Sequence, residues 1–210
     1  MNIHPERFLP VRHRYRPVLI QLETLFHDMD RAYAAAAAQY GFQCHGCADN
    51  CCLTRFYHHT LLEYLYLLEG VCSVAPAMRQ VLRTRALAAD SQLSDAAPGR
   101  PAPRVMCPLN RQSRCTLYAH RPMICRLHGI PYELHRPGAG ATTYPGCDAF
   151  FDQCRQRGRT DYAPFDRTPF YRRMADLETV VRSRAAYTGK IKHTIAQMMV
   201  AITENNHEID

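Results

Sequence analysis

The chain has 210 residues, 47% of them hydrophobic and 21% charged, with a formal net charge of +7 at neutral pH. That composition supports a sizeable core and excludes wholesale disorder. No run approaches the roughly 18 apolar residues of a membrane-spanning helix; the best, Leu61 to Leu68, is interrupted by Glu63. The start, MNIHPERFLPVRHRYRP, carries charge but no apolar stretch of the kind a secretory signal needs. The expectation is a cytoplasmic, mainly α-helical single domain over 1–210, with irregular cysteine-rich loops and a small β-hairpin.

Helical spacing of Leu19, Leu22, Phe26 and Met29 predicts a first helix from Pro17 to about Tyr40, closed by Gly41. A second helix follows the first cysteine group. Thr60 and Glu63 form a capping box, Leu61, Leu62, Leu65 and Leu68 the apolar stripe, and Gly70 the end. A third, arginine-rich on its outer face, is expected from Pro76 to Ala89 and completes an N-terminal unit over 17–89. Residues 90–104, DSQLSDAAPGRPAPR, read as an exposed proline-rich connection. In 105–157 the stretches 130–134 and 141–144 predict a hairpin around HRPGAG, with Pro131 limiting it to a sheet edge. Asp148 reads as the N-cap of a short helix that stops at Gly158. Over 168–204, Phe170, Met174, Leu177, Val180 and Val181 give a helical pattern, broken near Gly189 and resumed from Ile191 to Ile202.

Ten cysteines are the informative part of the composition. Their even number invites a disulfide framework, but a reducing compartment argues against one. Cys44, Cys47, Cys51 and Cys52 also lie too close together for four separate crosslinks. Metal or cluster ligation is the better reading. In Cys44-His-Gly-Cys47, a C-x-x-C turn places two sulfurs on one side of a tight loop, the usual way a chain offers ligands to zinc or to an iron–sulfur cluster. Cys51 returns to the same centre, and Cys52, its neighbour, bridges, serves a second centre or packs inside. The second group comprises Cys107, Cys115 and Cys125, with Cys147 and Cys154 beyond. Arg121 and Arg126 flank Cys125 and offset thiolate charge, since four thiolates on a divalent ion leave a net charge of about −2. Cys72 stands apart and reads as a packed thiol.

The pattern C-x2-C-x3-C-C, then C-P-L, then C-x-L-Y-x-x-R-P-x-x-C-R resembles the CxxCxxCC (YkgJ-type) family of zinc- or iron-chelating proteins. The matching positions are Cys44, Cys47, Cys51, Cys52, Cys107, Pro108, Cys115, Tyr118, Arg121, Pro122, Cys125 and Arg126, with Cys147 beyond. The likeness covers about 42–150. One departure is that three residues, not two, separate Cys47 from Cys51. The resemblance implies metal binding and little about chemistry. Flagellin lysine methylases share a similar cysteine block but are much longer.

Spacing leaves zinc, iron and iron–sulfur open; the excess of sulfur, the adjacent pair and the Cys107-Pro108 step lean toward a cluster. His45 and His128 are further candidate ligands, His58 and His59 precede the second helix, and His120 reads as structural. No phosphate-binding loop, dinucleotide fingerprint, zinc-protease helix or nucleophile elbow appears. The radical-SAM triad C-x3-C-x2-C is present only in reverse order.

Of the basic residues 24 are Arg, with only Lys190 and Lys192 as Lys, and they are scattered. A solvated basic surface accounts for them better than a nucleic-acid interface. The leading expectation is a metalloprotein of redox, sensing or metal-handling function. The alternatives are an iron-dependent enzyme acting on a small molecule or protein side chain, and a zinc-stabilised module for nucleic acid or a protein partner.

Overall fold

In the computed structural model, which describes residues 8–44, 51–94 and 103–203, the chain is mainly α-helical with a small sheet. Three long helices come first: α1 (Arg16–Gln39), α2 (Leu61–Cys72) and α3 (Pro76–Ser94). The middle holds β1 (Asn110–Arg111), β2 (Arg114–Cys115), the short α4 (Met123–Leu127), β3 (Tyr132–Arg136) and β4 (Gly140–Tyr144). α5 (Asp148–Gln156), β5 (Phe165–Asp166), α6 (Thr168–Ala185) and α7 (Ile195–Thr203) complete it. Among the described residues no helix is long and apolar enough to cross a membrane.

α1 starts over Pro17, buries Leu19, Leu22, Leu25, Phe26 and Met29, and ends where the Gly41 N–H reaches the Ala38 carbonyl at 3.0 Å. The α2 start is doubly tied. Thr60 Oγ1 accepts from the Glu63 N–H at 3.2 Å, the N-cap half of a capping box, and the Thr60 hydroxyl rather than its backbone N–H donates to Glu63 Oε2 at 2.6 Å. The next free donors, Leu61 and Leu62 N–H, go to the Glu178 carboxylate on α6 at 2.8 and 2.9 Å. An apolar stripe is too narrow a description of this helix, because every residue from Leu61 to Leu68 is buried, Glu63 included. The core surrounds α2, with α6 and α7 packed against it.

Gly70 does not end α2. It sits where the His120 ring crosses the helix, and a Cβ there would lie 2.6 Å from His120 Cγ. α3 runs past Ala89 to Ser94, into the stretch expected to be a connection. Residues 95–102 lie outside the described part of the chain. Packing explains the extension: Ala86 and Ala89 are buried and α7 lies along α3. Arg79 also turns inward and is buried, so the arginines of α3 are not all on an outer face.

The hairpin forms as expected, with Tyr132 opposite Tyr144 and Arg136 opposite Gly140. Its place in the sheet differs. β5 adds in parallel to the other side of β3, giving the order β4-β3-β5 and making β3 central. Pro131 is compatible with this because it precedes the strand, and its carbonyl accepts from the Phe165 N–H at 2.9 Å. Cys147, not Asp148, is the N-cap of α5; Asp148 falls in the first turn, where a carboxylate still complements the helix dipole. α6 ends at Ala186, which takes a left-handed conformation (φ 46°), rather than at Gly189. Gly189 serves a close approach, since a Cβ would come within 2.7 Å of Tyr187 Oη. A second, smaller core gathers Ala37, Tyr40, Phe42, Ile130, Phe150 and Cys154 beneath the end of α1.

Candidate metal centre

Three separate segments bring cysteines together. A 3-10 turn over Cys51–Leu53 carries the adjacent pair. The Cys107 N–H donates to the Cys52 carbonyl at 2.8 Å, which fastens the first cysteine group to the second. Downstream of Cys107, β1 and β2 form a minimal hairpin over Gln112 and Ser113, both at positive φ, that sets Asn110 opposite Cys115. α4 supplies Cys125, and its first amide, Met123 N–H, donates to buried Glu63 Oε1 at 2.8 Å. α4 is thereby anchored to the start of α2.

The electrostatics link Cys125 to Cys107, Cys115 and Cys52. Burial drives the Cys125 thiol well above its ordinary range, and Cys107, Cys115 and Cys52 add to the effect in that order. Burial takes Cys107 up to about 12, with further repulsion from Cys52 and Cys115. Cys115 rises for the same first reason, opposed by Arg121 and Arg126. Backbone amides oppose the trend at two sulfurs: Leu109 and Asn110 hydrogen-bond Cys107, and Leu117 hydrogen-bonds Cys115, each favouring thiolate. Such amide-to-sulfur bonds are what an anionic, cation-bound sulfur needs from its surroundings. Cys51 and Cys52 share a hydrogen bond. It lowers Cys52, helped by the Asn110 side chain and the Arg121 charge, and raises Cys51.

Spacing narrows what could sit among them. A tetrahedral ion with Zn–S bonds of about 2.3 Å needs its sulfurs about 3.8 Å apart. Among the described residues no three cysteine sulfurs lie within 4.8 Å of one another. The sulfur donors are of the kind a thiophilic group takes, and among the described residues they form no ready-made single-ion cage.

The remaining expected ligands are dispersed. Cys44 is exposed and acts with Cys51 and Cys147 on the Tyr33 hydroxyl, whose pKa rises mainly through burial. Cys147 is pinned by its N–H to the Gly129 carbonyl at 2.8 Å. Cys154 is buried in the smaller core, where its charged neighbours are Arg157 and Arg159 rather than another cysteine, so the fold does not bring it to the group. Cys72 packs against the main core. Cys47 and His45 lie outside the described residues. His128 packs edge-on against Phe56 at 5.5 Å, and burial lowers its pKa. His120 lies against Tyr66 at 4.7 Å, in keeping with a structural role.

A cavity of about 50 Å³ opens on the group, lined by Cys52, Cys107, Cys125, Phe56, His58 and Ile195 among others. His58 is buried, and its Nε2 has no partner among the described residues.

No family model, curated protein or solved structure matches this chain.

Several residues of the site had no sequence signal. Glu63 was legible as a capping residue but not as the acceptor for α4. Glu133, His135 and Asp166 hold donor atoms within 4.8 Å of one another, a grouping that depends on the parallel pairing of β3 with β5. Their hydrogen bonds give them a structural role: His135 Nε2 and Glu133 Oε1 are 3.0 Å apart, and Asp166 Oδ1 accepts from the first amide of α6 at 2.8 Å.

The Cys51–Cys52 pair has a measurable consequence. The hydrogen bond from Cys51, helped by Asn110 and Arg121, holds the Cys52 thiol below the ordinary thiol range in the metal-free protein. Iodoacetamide should therefore alkylate Cys52 before Cys107, Cys115 or Cys125, with a rate midpoint below that of an ordinary thiol. Peptide mapping across pH 5–9 checks this (roughly the span over which thiols titrate). Asn110→Ala should move the midpoint upward.

Proposed function

We propose that the chain is a thiolate metalloprotein in which Cys52, Cys107, Cys115 and Cys125 form the heart of the ligand set. Cys51, Cys44, Cys147 and, from outside the described residues, Cys47 are the further candidates. The occupant is an iron–sulfur cluster or a thiophilic ion, zinc or iron, and the role is redox, sensing or metal handling in the cytoplasm. One observation carries this reading: the Cys107 N–H ties its segment to the Cys52 carbonyl at 2.8 Å, Cys107, Cys115 and Cys52 raise the pKa of Cys125, and amides of Leu109, Asn110 and Leu117 favour the anionic forms of Cys107 and Cys115. Cys107, Cys115 and Cys125, raised by burial, stay protonated alone and lose their protons to a bound cation. The resemblance to the CxxCxxCC (YkgJ-type) family supports the same reading.

Each part of the chain has a defined task in holding such a group. The Cys107 amide clamps the two cysteine groups together, Glu63 fixes α4, and Arg121 supplies positive charge beside Cys52 and Cys115. A bound cluster supplies one-electron chemistry. The cavity at Cys52, Cys107 and Cys125 favours a second reading, an iron-dependent enzyme acting on a small molecule.

Metal and acid-labile sulfide analysis of protein purified without oxygen tests the proposal. Iron with sulfide and a visible absorption band supports the cluster. Colourless protein with stoichiometric zinc supports a closed thiolate site and moves the search for function to partner binding. Protein with neither metal contradicts the proposal.

A further inference from the structure

The cavity beside Cys52, Cys107 and Cys125 has a polar wall that the thiolate centre does not use. His58 lines it, is only 2% exposed, and among the described residues its Nε2 has no hydrogen-bond partner. The backbone that carries this ring is fixed twice. The His58 N–H donates to the His193 carbonyl at 2.7 Å, and the His193 N–H returns to the His58 carbonyl at 3.1 Å, an isolated antiparallel bridge. Next to it, His59 Nδ1 lies 3.1 Å from the Ile191 carbonyl. Burial lowers the His58 pKa, so the imidazole is neutral at neutral pH, with one donor nitrogen and one acceptor nitrogen. A buried nitrogen without a partner costs free energy, and a guest in the cavity is the partner this one lacks.

The rest of the lining limits that guest. Leu53, Phe56, Val105 and Ile195 give the cavity apolar walls. Arg55, the one arginine among the described lining residues, is exposed and lies 5.2 Å over the Tyr57 ring. Thr194, Ile195 and Ala196 bring the start of α7 to the cavity. Thr194 Oγ1 accepts from the Gln197 N–H at 3.2 Å, and the Thr194 N–H donates to Gln197 Oε1 at 3.0 Å, so this start is capped and fixed. A helix start favours an acceptor atom beside it. Apolar walls, with thiols that become anionic on loading, disfavour a guest with a net negative charge. The volume is about 50 Å³. At about 10–15 Å³ for each water-sized atom, that is room for about three to five of them.

We propose that this cavity binds a small uncharged molecule of about three to five non-hydrogen atoms, carrying both a donor and an acceptor, through a hydrogen bond to His58 Nε2. The inference deepens the small-molecule reading of the centre, and it rests on that reading for the part played by Cys52, Cys107 and Cys125 on the facing wall. It adds the class of ligand and the residue that recognises it. His58 lies outside every cysteine motif. It binds and orients the guest, and no proton or electron transfer is assigned to it.

The test titrates the full chain, with isotopically labelled histidine ring nitrogens and under reducing conditions with a chelator, at neutral pH. The probes are formamide, formate (the same shape with a charge) and benzamide (the same amide on too large a body). The His58 Nε2 resonance is assigned by its absence from His58→Phe. Formamide should shift it saturably, with a Kd of about 1 mM or weaker, the range open to so few atoms. Formate and benzamide should bind at least about tenfold more weakly. Ala196→Leu, which fills the cavity from α7, should abolish the formamide shift while the His58 resonance remains. His58→Phe should cut saturation transfer from protein to formamide by about fivefold or more, a readout that stands even if Ala196→Leu fails to fold. The proposal is overturned if formamide gives no saturable shift up to about 100 mM, which leaves water alone in the cavity. It is equally overturned if formate or benzamide binds as well as formamide, or if His58→Phe binds formamide as wild type does. The titration needs no metal, so its failure is distinct from that of the thiolate reading, which metal analysis of the wild-type chain decides by itself.

Discussion

Cys125→Ser should abolish metal loading, leaving less than about a quarter of the wild-type metal per chain, whereas Cys72→Ser should leave it unchanged. The contrast follows from position. Burial, Cys107, Cys115, Cys52 and Glu63 all disfavour a lone thiolate at Cys125. Only a bound cation reverses that balance, and a serine hydroxyl does not replace a thiolate toward a soft metal. Cys72 is partly buried against the main core, with Arg12, Glu69 and Arg79 as its charged neighbours and no cysteine among them. Structural zinc in small thiolate sites contributes on the order of 10 kcal/mol of binding free energy, so loss of the metal should also lower the Tm sharply. Elemental analysis of each variant with parallel melting curves checks both halves. Full metal content in Cys125→Ser would remove Cys125 from the ligand set.

Arg126→Met should cost about 3 kcal/mol, which corresponds to roughly 6–12 °C in Tm for a chain of this size. The guanidinium is nearly buried and is used on every side. Nη1 pairs with Asp30 Oδ2 at 2.6 Å, Nε donates to the Arg121 carbonyl at 2.9 Å, and Nη2 donates to the Ala119 carbonyl. Its flat face lies 4.2 Å from the Phe26 ring centroid. Methionine restores the contact with Phe26 but leaves two carbonyls and a carboxylate without their donor. Because Asp30 is 40% exposed, water recovers part of that loss, and the figure sits at the lower end for buried pairs. Arg126 also ties α1 to the loop between Cys115 and Cys125, so weaker metal retention should accompany the lower Tm. Asp30→Asn should be milder on both counts. Urea denaturation gives the free energy, and a loss under about 1 kcal/mol would mean that the tie is made elsewhere.

Local chemistry was readable where a residue's partner is close in sequence. Thr60 and Glu63 announce the α2 start, Gly41 the α1 end, and the two stretches flanking HRPGAG the hairpin. The misses share one cause, contact between distant segments. Pro131 pointed to an edge because proline removes a ladder donor, but nothing near it reveals that Phe165 would pair with Tyr132 from the far side. Gly70 looked like a helix stop until His120, fifty residues on in sequence, is seen crossing it. Ala186 offers no glycine-like signal for the left-handed turn it makes. The cysteine motifs offered nine candidate ligands in two groups, Cys154 among them, and spacing alone did not say which share a centre; Cys154 lies enclosed by the aromatic residues of the smaller core.

X-ray absorption at the metal edge of anaerobically purified protein tests the central claim most directly, because it counts the sulfur atoms around the metal. The account predicts a shell made mainly of sulfur at about 2.3 Å, with a further iron shell if the occupant is a cluster. A shell of nitrogen and oxygen alone would contradict it, since the buried thiols would then have no metal to hold.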